Sequence, residues 1–182
     1  SFRRSKWFEH VGNECLNVKK NVGLLDMTAF AKCRITGPGA KDFLDYLVAN
    51  KLPQKNGRVN LCHALNTKGG VHSEFTIAKE SDDSYYLVSA GAFQRLDHDW
   101  IKKWMPNDRS VIFENLTNSM GVLVVAGPKS RDLLSKISNA NFSNDAFPWL
   151  SAQKIDVGLA PSIAMRMNFV GELGWELHHP IE

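Results

Sequence analysis

The chain has 182 residues, 43% of them apolar and 23% charged, which are the proportions of an ordinary globular domain and not of a disordered or fibrous chain. Its formal charge of +3 is dispersed, with no stretch that interleaves Lys and Arg with aromatics, so nothing argues for a nucleic-acid partner. No apolar run approaches the roughly 18 residues that a membrane helix needs; a soluble chain with no membrane partner is expected, long enough for one sizeable domain.

In chain order, "SKWFEHVGNECLNVKKNVG" spaces Trp7, Phe8, Val11, Cys15 and Val18 by threes and fours, which predicts an amphipathic helix that Gly23 stops and that packs on the domain. "FAKCRITG" alternates as a strand, and "GPGAKDFLDYLVANKLP" follows as a helix with Pro38 at its start and Pro53 beyond its end. "VNLCHALN", the turn "TKGG" and "VHSEFTIAKE" read as a hairpin, with "SYYLVSAG" as a third strand. "FQRLDHDWIKKWM" predicts a helix with Leu96, Trp100, Ile101 and Trp104 on one face. "VIFENLT" and "MGVLVVAG" return to strand and "PKSRDLLSKIS" to helix. "KIDVG" and "SIAMRMNFVGELGWEL" read as two closing strands.

A repeat runs through this order. "ITGPGAKDFL" at Ile35–Leu44 and "VAGPKSRDLL" at Val125–Leu134 share a strand end, Gly-Pro, an Asp in the first helical turn and two apolar residues. Gly ends each strand, Pro presets φ for the helix, and Asp42 or Asp132 complements the helix dipole. The stretches 24–110 and 111–182 therefore read as one β-α-β-β type unit used twice, although such turns also arise by coincidence. Neither is a phosphate loop, because G-x-G-x-x-G and the Walker pattern are both absent.

Cys15, Cys33 and Cys62 lie far apart without a C-x-x-C pair, which predicts reduced thiols and no metal site. The sequons at Asn115 and Asn141 matter only in a secreted protein, and "SFRRSKWFEHVGNE" lacks the apolar core of a signal peptide. A chain starting at Ser1 and stopping at "HHPIE" is expected to be cut from something longer.

Candidate chemistry concentrates in two places. Alternation along "VHSEFTIA" puts His72, Glu74, Thr76 and Ala78 on one face, either a solvated face or a pocket wall that presents a carboxylate to an amine. In "FVGELGWEL", the two glycines three apart predict a break in register, so that one acid can close the turn while the other enters a pocket. A carboxylate there suits the adjacent N–H donors of a heterocycle such as a pterin. His178 and His179 are adjacent, cannot easily share a metal, and are read as surface residues; His98 in "LDHDW" is read as part of a solvated face.

The segments "VGLLDMTAFAKCRITGPGAKDFLDYL", "LNTKGGVHSEFTI", "VLVVAGPKSRDLL", "FSNDAFPWL" and "NFVGELGWELHHP" resemble, in order and through essentially the whole chain, the folate-binding region of the glycine-cleavage aminomethyltransferase family. The likeness is closest to the folate-binding C-terminal half of dimethylglycine and sarcosine dehydrogenases. The resemblance implies an α+β fold of two ferredoxin-like halves around a shared folate pocket, truncated relative to the family. It implies tetrahydrofolate as cofactor and a methylated amine as donor. The reaction implied is one-carbon transfer, giving 5,10-methylenetetrahydrofolate and a demethylated amine.

By that resemblance Glu74 assists transfer at N10, in a position where many members carry Asp. Glu176 binds the pterin, and Glu172 is the acid of the turn. Phe169 stands where the family commonly has a folate-contacting Tyr, while Leu61, Thr76 and Val88 wall the pocket. FAD would belong only to an upstream domain absent from this chain, with a flavin dehydrogenase domain as partner. The location implied is the cytoplasm, or the mitochondrial matrix in a eukaryote. Two other readings stay open: a folate-binding or regulatory module that transfers nothing, and a domain that docks to a flavin-dependent amine dehydrogenase.

Overall fold

The computed structural model describes residues 4–167 and 171–182. In chain order it forms α1 (Phe8–Lys20), β1 (Gly23–Asp26), β2 (Ala31–Thr36), α2 (Ala40–Leu47), β3 (Val59–Leu65), β4 (Val71–Ser81) and β5 (Ser84–Ser89). A 3-10 turn (Gly91–Phe93), α3 (Gln94–Trp104), β6 (Ile112–Asn115), β7 (Met120–Ala126), α4 (Ser130–Leu134), β8 (Ala152–Val157), β9 (Ala160–Met165) and β10 (Gly174–Pro180) complete it. The fold is α+β, with two five-stranded sheets in the orders β3-β4-β5-β2-β6 and β1-β7-β10-β9-β8. These are the two ferredoxin-like halves expected from the resemblance.

The sheets exchange edge strands. β1, early in the chain, pairs antiparallel with β7, whereas β6 pairs antiparallel with β2. The two Gly-Pro turns hold these exchanged strands in the same way. Gly37 has φ +112° and Gly127 φ +127°, and a Cβ on either would collide with a backbone carbonyl, of Ser110 and of Asn21 respectively. The amide two residues after each glycine donates to that same carbonyl, Gly39 to Ser110 at 3.0 Å and Lys129 to Asn21 at 2.9 Å. Ser110 stands two residues before β6 and Asn21 two before β1, so the repeat extends to the contacts that each turn makes.

Period-two alternation sorts the first sheet into two buried faces. Ile35, Phe75, Ile77, Tyr85 and Leu87 pack with Phe43, Leu44 and Leu47 of α2 and Ile101 of α3. The opposite face contributes Val59, Ala78, Tyr86 and Val88 to a cluster with Met165 of the second sheet, so the sheets meet along a seam. On the far side of the second sheet, Trp175 and Leu177 pack with Leu134, Phe142 and Phe147.

Several elements differ from the sequence expectation: β1 is a strand not expected from the sequence, and α4 ends at Leu134, before the rest of "PKSRDLLSKIS". α2 stops at Leu47 because the Ala49 amide bonds to the His63 carbonyl at 2.9 Å, which draws Val48 into extended conformation. "SIAMRMNFVGELGWEL" is not one strand but β9 and β10, paired antiparallel. α1 forms as predicted, yet none of its residues is buried; its last turn meets the start of β1, where Asn17 Nδ2 donates to the Val22 carbonyl, while Trp7, Phe8 and Leu16 stay exposed.

Candidate functional site

The start of β4 and the end of β5 lie side by side, and the chain turns there into α3. Between this edge and β10 of the other sheet is a cavity of about 350 Å³. Glu74, Thr76 and Val88 line it from the first sheet and Glu176 from the second, with Asp97 of α3 and the rings of Phe30 and Phe93. Thr76 pairs in register with both Leu61 and Val88, so these three form one row across the sheet. Leu61, on the outer strand, is exposed and lies outside the cavity lining. Phe169 falls outside the described residues.

Glu74 stands directly opposite His63 on β3, on the same sheet face. Its Oε2 is 3.0 Å from His63 Nε2. The Asn50 Oδ1 atom accepts from the His63 backbone amide at 2.7 Å and lies 3.2 Å from His63 Nδ1. An amide oxygen only accepts, so this network assigns a hydrogen to Nδ1. His63 Nε2 and Glu74 then share one proton across their contact. Both side chains remain partly open to solvent, His63 at 30% and Glu74 at 50% exposure.

Glu176 is held differently. It is 4% exposed, and its Oε2 lies 3.2 Å from Nε2 of His178, whose Nδ1 lies 3.1 Å from the Tyr86 hydroxyl. His178 is therefore no surface residue: it is fully buried, whereas its neighbour His179 is partly exposed and donates to the Pro180 carbonyl. Both faces of β10 are covered, Trp175 and Leu177 by one core and Glu176 and His178 by the seam, so adjacency in the chain did not imply exposure for either face.

Two further expectations are corrected. Asp97 and His98 are buried at 2% and 8% exposure, not solvated, and only their neighbour Asp99 is open to water in this trio. The Asp97–Ile101–Trp104 stripe has the i, i+4, i+7 spacing of a buried helix face, which is the signal that its charge concealed. Burial, reinforced by Lys102, lowers the His98 imidazole below its ordinary value. β4 bulges at His72, with Leu65 opposite Val71 and Ala64 opposite Ser73, so strict alternation with Glu74 and Thr76 is broken there although His72 still lines the same cavity. Its ring stacks on Trp100 at 3.9 Å.

Glu74, Asp97 and Glu176 thus bring three carboxylates to one cavity, an acceptor-rich environment for a ligand that carries N–H donors or positive charge. Among the described residues no cluster of His, Cys, Asp or Glu has metal-binding geometry. All three cysteines are free; burial pushes the Cys33 thiol up to about 12 and the Cys62 thiol up to about 11. No helix among the described residues is long and apolar enough to cross a membrane.

Comparison with known proteins agrees with this architecture. Mouse mitochondrial dimethylglycine dehydrogenase is 37% identical over 180 residues, which cover 98% of this chain and 21% of the relative. The mouse mitochondrial pyruvate dehydrogenase phosphatase regulatory subunit is 33% identical over 185 residues, covering 100% of this chain and 21% of the relative. The chain therefore spans about one fifth of the length of these relatives. Among solved structures, the glycine cleavage system aminomethyltransferase T from Bartonella henselae superposes with a TM-score of 0.80 over 93% of this chain and 45% of its own; at 19% identity that likeness is one of fold. The family model described as the GCVT N-terminal domain matches residues 1–182, and the chain belongs to that family.

Proposed function

We propose that the chain is the tetrahydrofolate-dependent one-carbon transfer module of a dimethylglycine or sarcosine dehydrogenase-like enzyme. The observation that carries this reading is the convergence of Glu74 and Glu176, from different sheets, on one cavity. Its volume of about 350 Å³ lies at the lower end of small-molecule sites and suits a bicyclic pterin whose tail leaves through the open side. The donor set fits as well. A pterin presents adjacent N–H groups and a flat apolar face; Glu176 supplies the acceptor, and Phe30 and Phe93 supply aromatic surface.

When bound, tetrahydrofolate supplies the nucleophilic amine that takes up the one-carbon unit. In this reading Glu176 orients the ring edge. Glu74 accepts the proton that the amine releases, and His63, partly open to solvent, passes it outward. Asp97 adds a negative wall that favours a cationic donor such as an iminium. The oxidation that generates such a donor would belong to a flavin-bearing partner region of the longer protein. A non-catalytic folate-binding or regulatory role is the second reading, favoured by the 33% identity with a phosphatase regulatory subunit over the full chain.

An anaerobic calorimetric titration of tetrahydrofolate into the 182-residue chain tests the binding step, with Glu176→Ala as control. Saturable binding that the substitution abolishes is the expected result. Binding that survives the substitution removes Glu176 from the site.

A further inference from the structure

We infer that Tyr86, His178 and Glu176 form a hydrogen-bond relay of fixed direction, in which Tyr86 donates to His178 and His178 donates to Glu176, so that Tyr86 and His178 are positioning residues for the cavity carboxylate. Its ligand consequence rests on the reading above; its geometry does not.

The three side chains bridge the seam between the sheets, Tyr86 from β5 and the other two from β10, and none is more than 4% exposed. The Tyr86 hydroxyl is 3.1 Å from His178 Nδ1, and His178 Nε2 is 3.2 Å from Glu176 Oε2. The two rings stand nearly perpendicular, at 87°, with centroids 5.4 Å apart. Among the described residues the Tyr86 hydroxyl has no other hydrogen-bond partner, and Glu176 has no other side-chain partner.

Counting hydrogens then selects one arrangement. With the hydrogen on Nδ1, the imidazole would donate to the phenol oxygen, leaving the phenol hydrogen buried without an acceptor, and Glu176 would have to be protonated to serve Nε2. With hydrogens on both nitrogens the phenol hydrogen is orphaned again. A neutral imidazole protonated at Nε2 satisfies every group: Tyr86 O–H donates to Nδ1, and Nε2–H donates to an ionised Glu176. Burial raises the Tyr86 phenol well above its ordinary value, which keeps the hydrogen available. Arg34 sits over the Tyr86 ring at 5.8 Å and is itself engaged by Glu80 at 2.7 Å.

The relay commits Glu176 Oε2 to His178 and leaves Oε1 without a described protein donor, so that oxygen is available to a ligand N–H. Because His178 is neutral, the charge of Glu176 is oriented but not cancelled. That arrangement selects for a ligand edge rich in N–H donors and against an anionic one.

Long-range ¹H–¹⁵N correlation spectra of the labelled 182-residue chain at neutral pH read the tautomer directly. The expected result is a protonated Nε2 and a bare Nδ1 on His178. Tyr86→Phe, which keeps the ring in the seam, is expected to shift the Nδ1 resonance and to weaken tetrahydrofolate binding about three- to ten-fold, the equivalent of one hydrogen bond. A protonated Nδ1 in the wild-type chain overturns the relay, and so does a Tyr86→Phe variant with both the resonance and the affinity unchanged. A wild-type chain with the expected tautomer that does not bind tetrahydrofolate refutes the ligand reading and leaves the relay supported by the spectra.

Discussion

Glu74 and Glu176 face one cavity, yet each is backed by a histidine in a different environment. His63 is partly exposed and shares a proton with Glu74, an arrangement suited to moving a proton; His178 is buried between two fixed partners, an arrangement suited to holding a charge still. The contrast predicts separable defects. Glu74→Gln should leave tetrahydrofolate affinity within about twofold while lowering single-turnover transfer in the assembled enzyme about a hundredfold or more, the usual scale of a general base. An undiminished rate would remove Glu74 from the mechanism, whereas a wild-type assembly that binds tetrahydrofolate and transfers nothing would favour the regulatory reading. His63→Gln keeps a donor toward Glu74 but cannot carry its proton, so transfer should fall by roughly tenfold with binding again intact. His98 makes a prediction about stability. Its imidazole is held below the ordinary 6.5, chiefly by burial, so the unfolded chain binds that proton more readily than the folded one. The folded state keeps its full advantage above that value and loses it as pH falls through and below it. The urea midpoint of the wild-type chain should therefore drop between about pH 7.5 and about pH 5.5 by more than that of His98→Gln.

Elements explain why some of this was legible and some was not. The Gly-Pro turns could be read because a strand end, a positive-φ glycine and a first helical turn are local features, written within ten residues. Their equivalence predicts a cost that a control can isolate. Gly127→Ala forces a Cβ into the Asn21 and Val18 carbonyls at φ +127°, whereas Gly158→Ala, at φ +59°, meets nothing within 4 Å. The first should lower stability in urea by about 2 kcal/mol or more and the second by about 1 kcal/mol, since only the first adds a collision to the backbone preference. Equal costs would show that the turn yields without disturbing the exchanged strand. The pairing of Glu74 with His63 was beyond reach because cross-strand register depends on how the hairpin closes. Strict alternation breaks at His72 because of one bulge, which alternation alone cannot signal. Asp97, His98 and His178 were misread for a common reason: polar residues were assigned to water, whereas here a sheet buried on both faces and a helix over a cavity enclose them.

At the scale of the molecule, the cavity lies where the two sheets meet, and the chain joins them by exchanging their edge strands. β1 precedes every strand of the first sheet in sequence but serves as the edge of the second; β6 follows α3 and serves as the edge of the first. Cutting after residue 110, the division expected from the sequence repeat, would therefore strip β6 from one piece and β1 from the other. It would also divide the seam, where Val59, Ala78, Tyr86 and Val88 pack with Met165, itself the register partner of Glu176. A position held by one carboxylate from each sheet is only as well defined as that seam, so the site and the cooperativity of the fold depend on the same contacts. The expectation is a single two-state transition in which the most protected amides of β5 and β10 exchange with the same free energy. Met165→Ala should lower that shared free energy by about 2–5 kcal/mol in both sheets together, as loss of a buried methionine in a packed core does. Native-state hydrogen exchange distinguishes the alternatives. If β10 opens at lower free energy while β5 remains protected, the sheets are separate cooperative units, and Glu176 can leave the cavity without unfolding the half that carries Glu74.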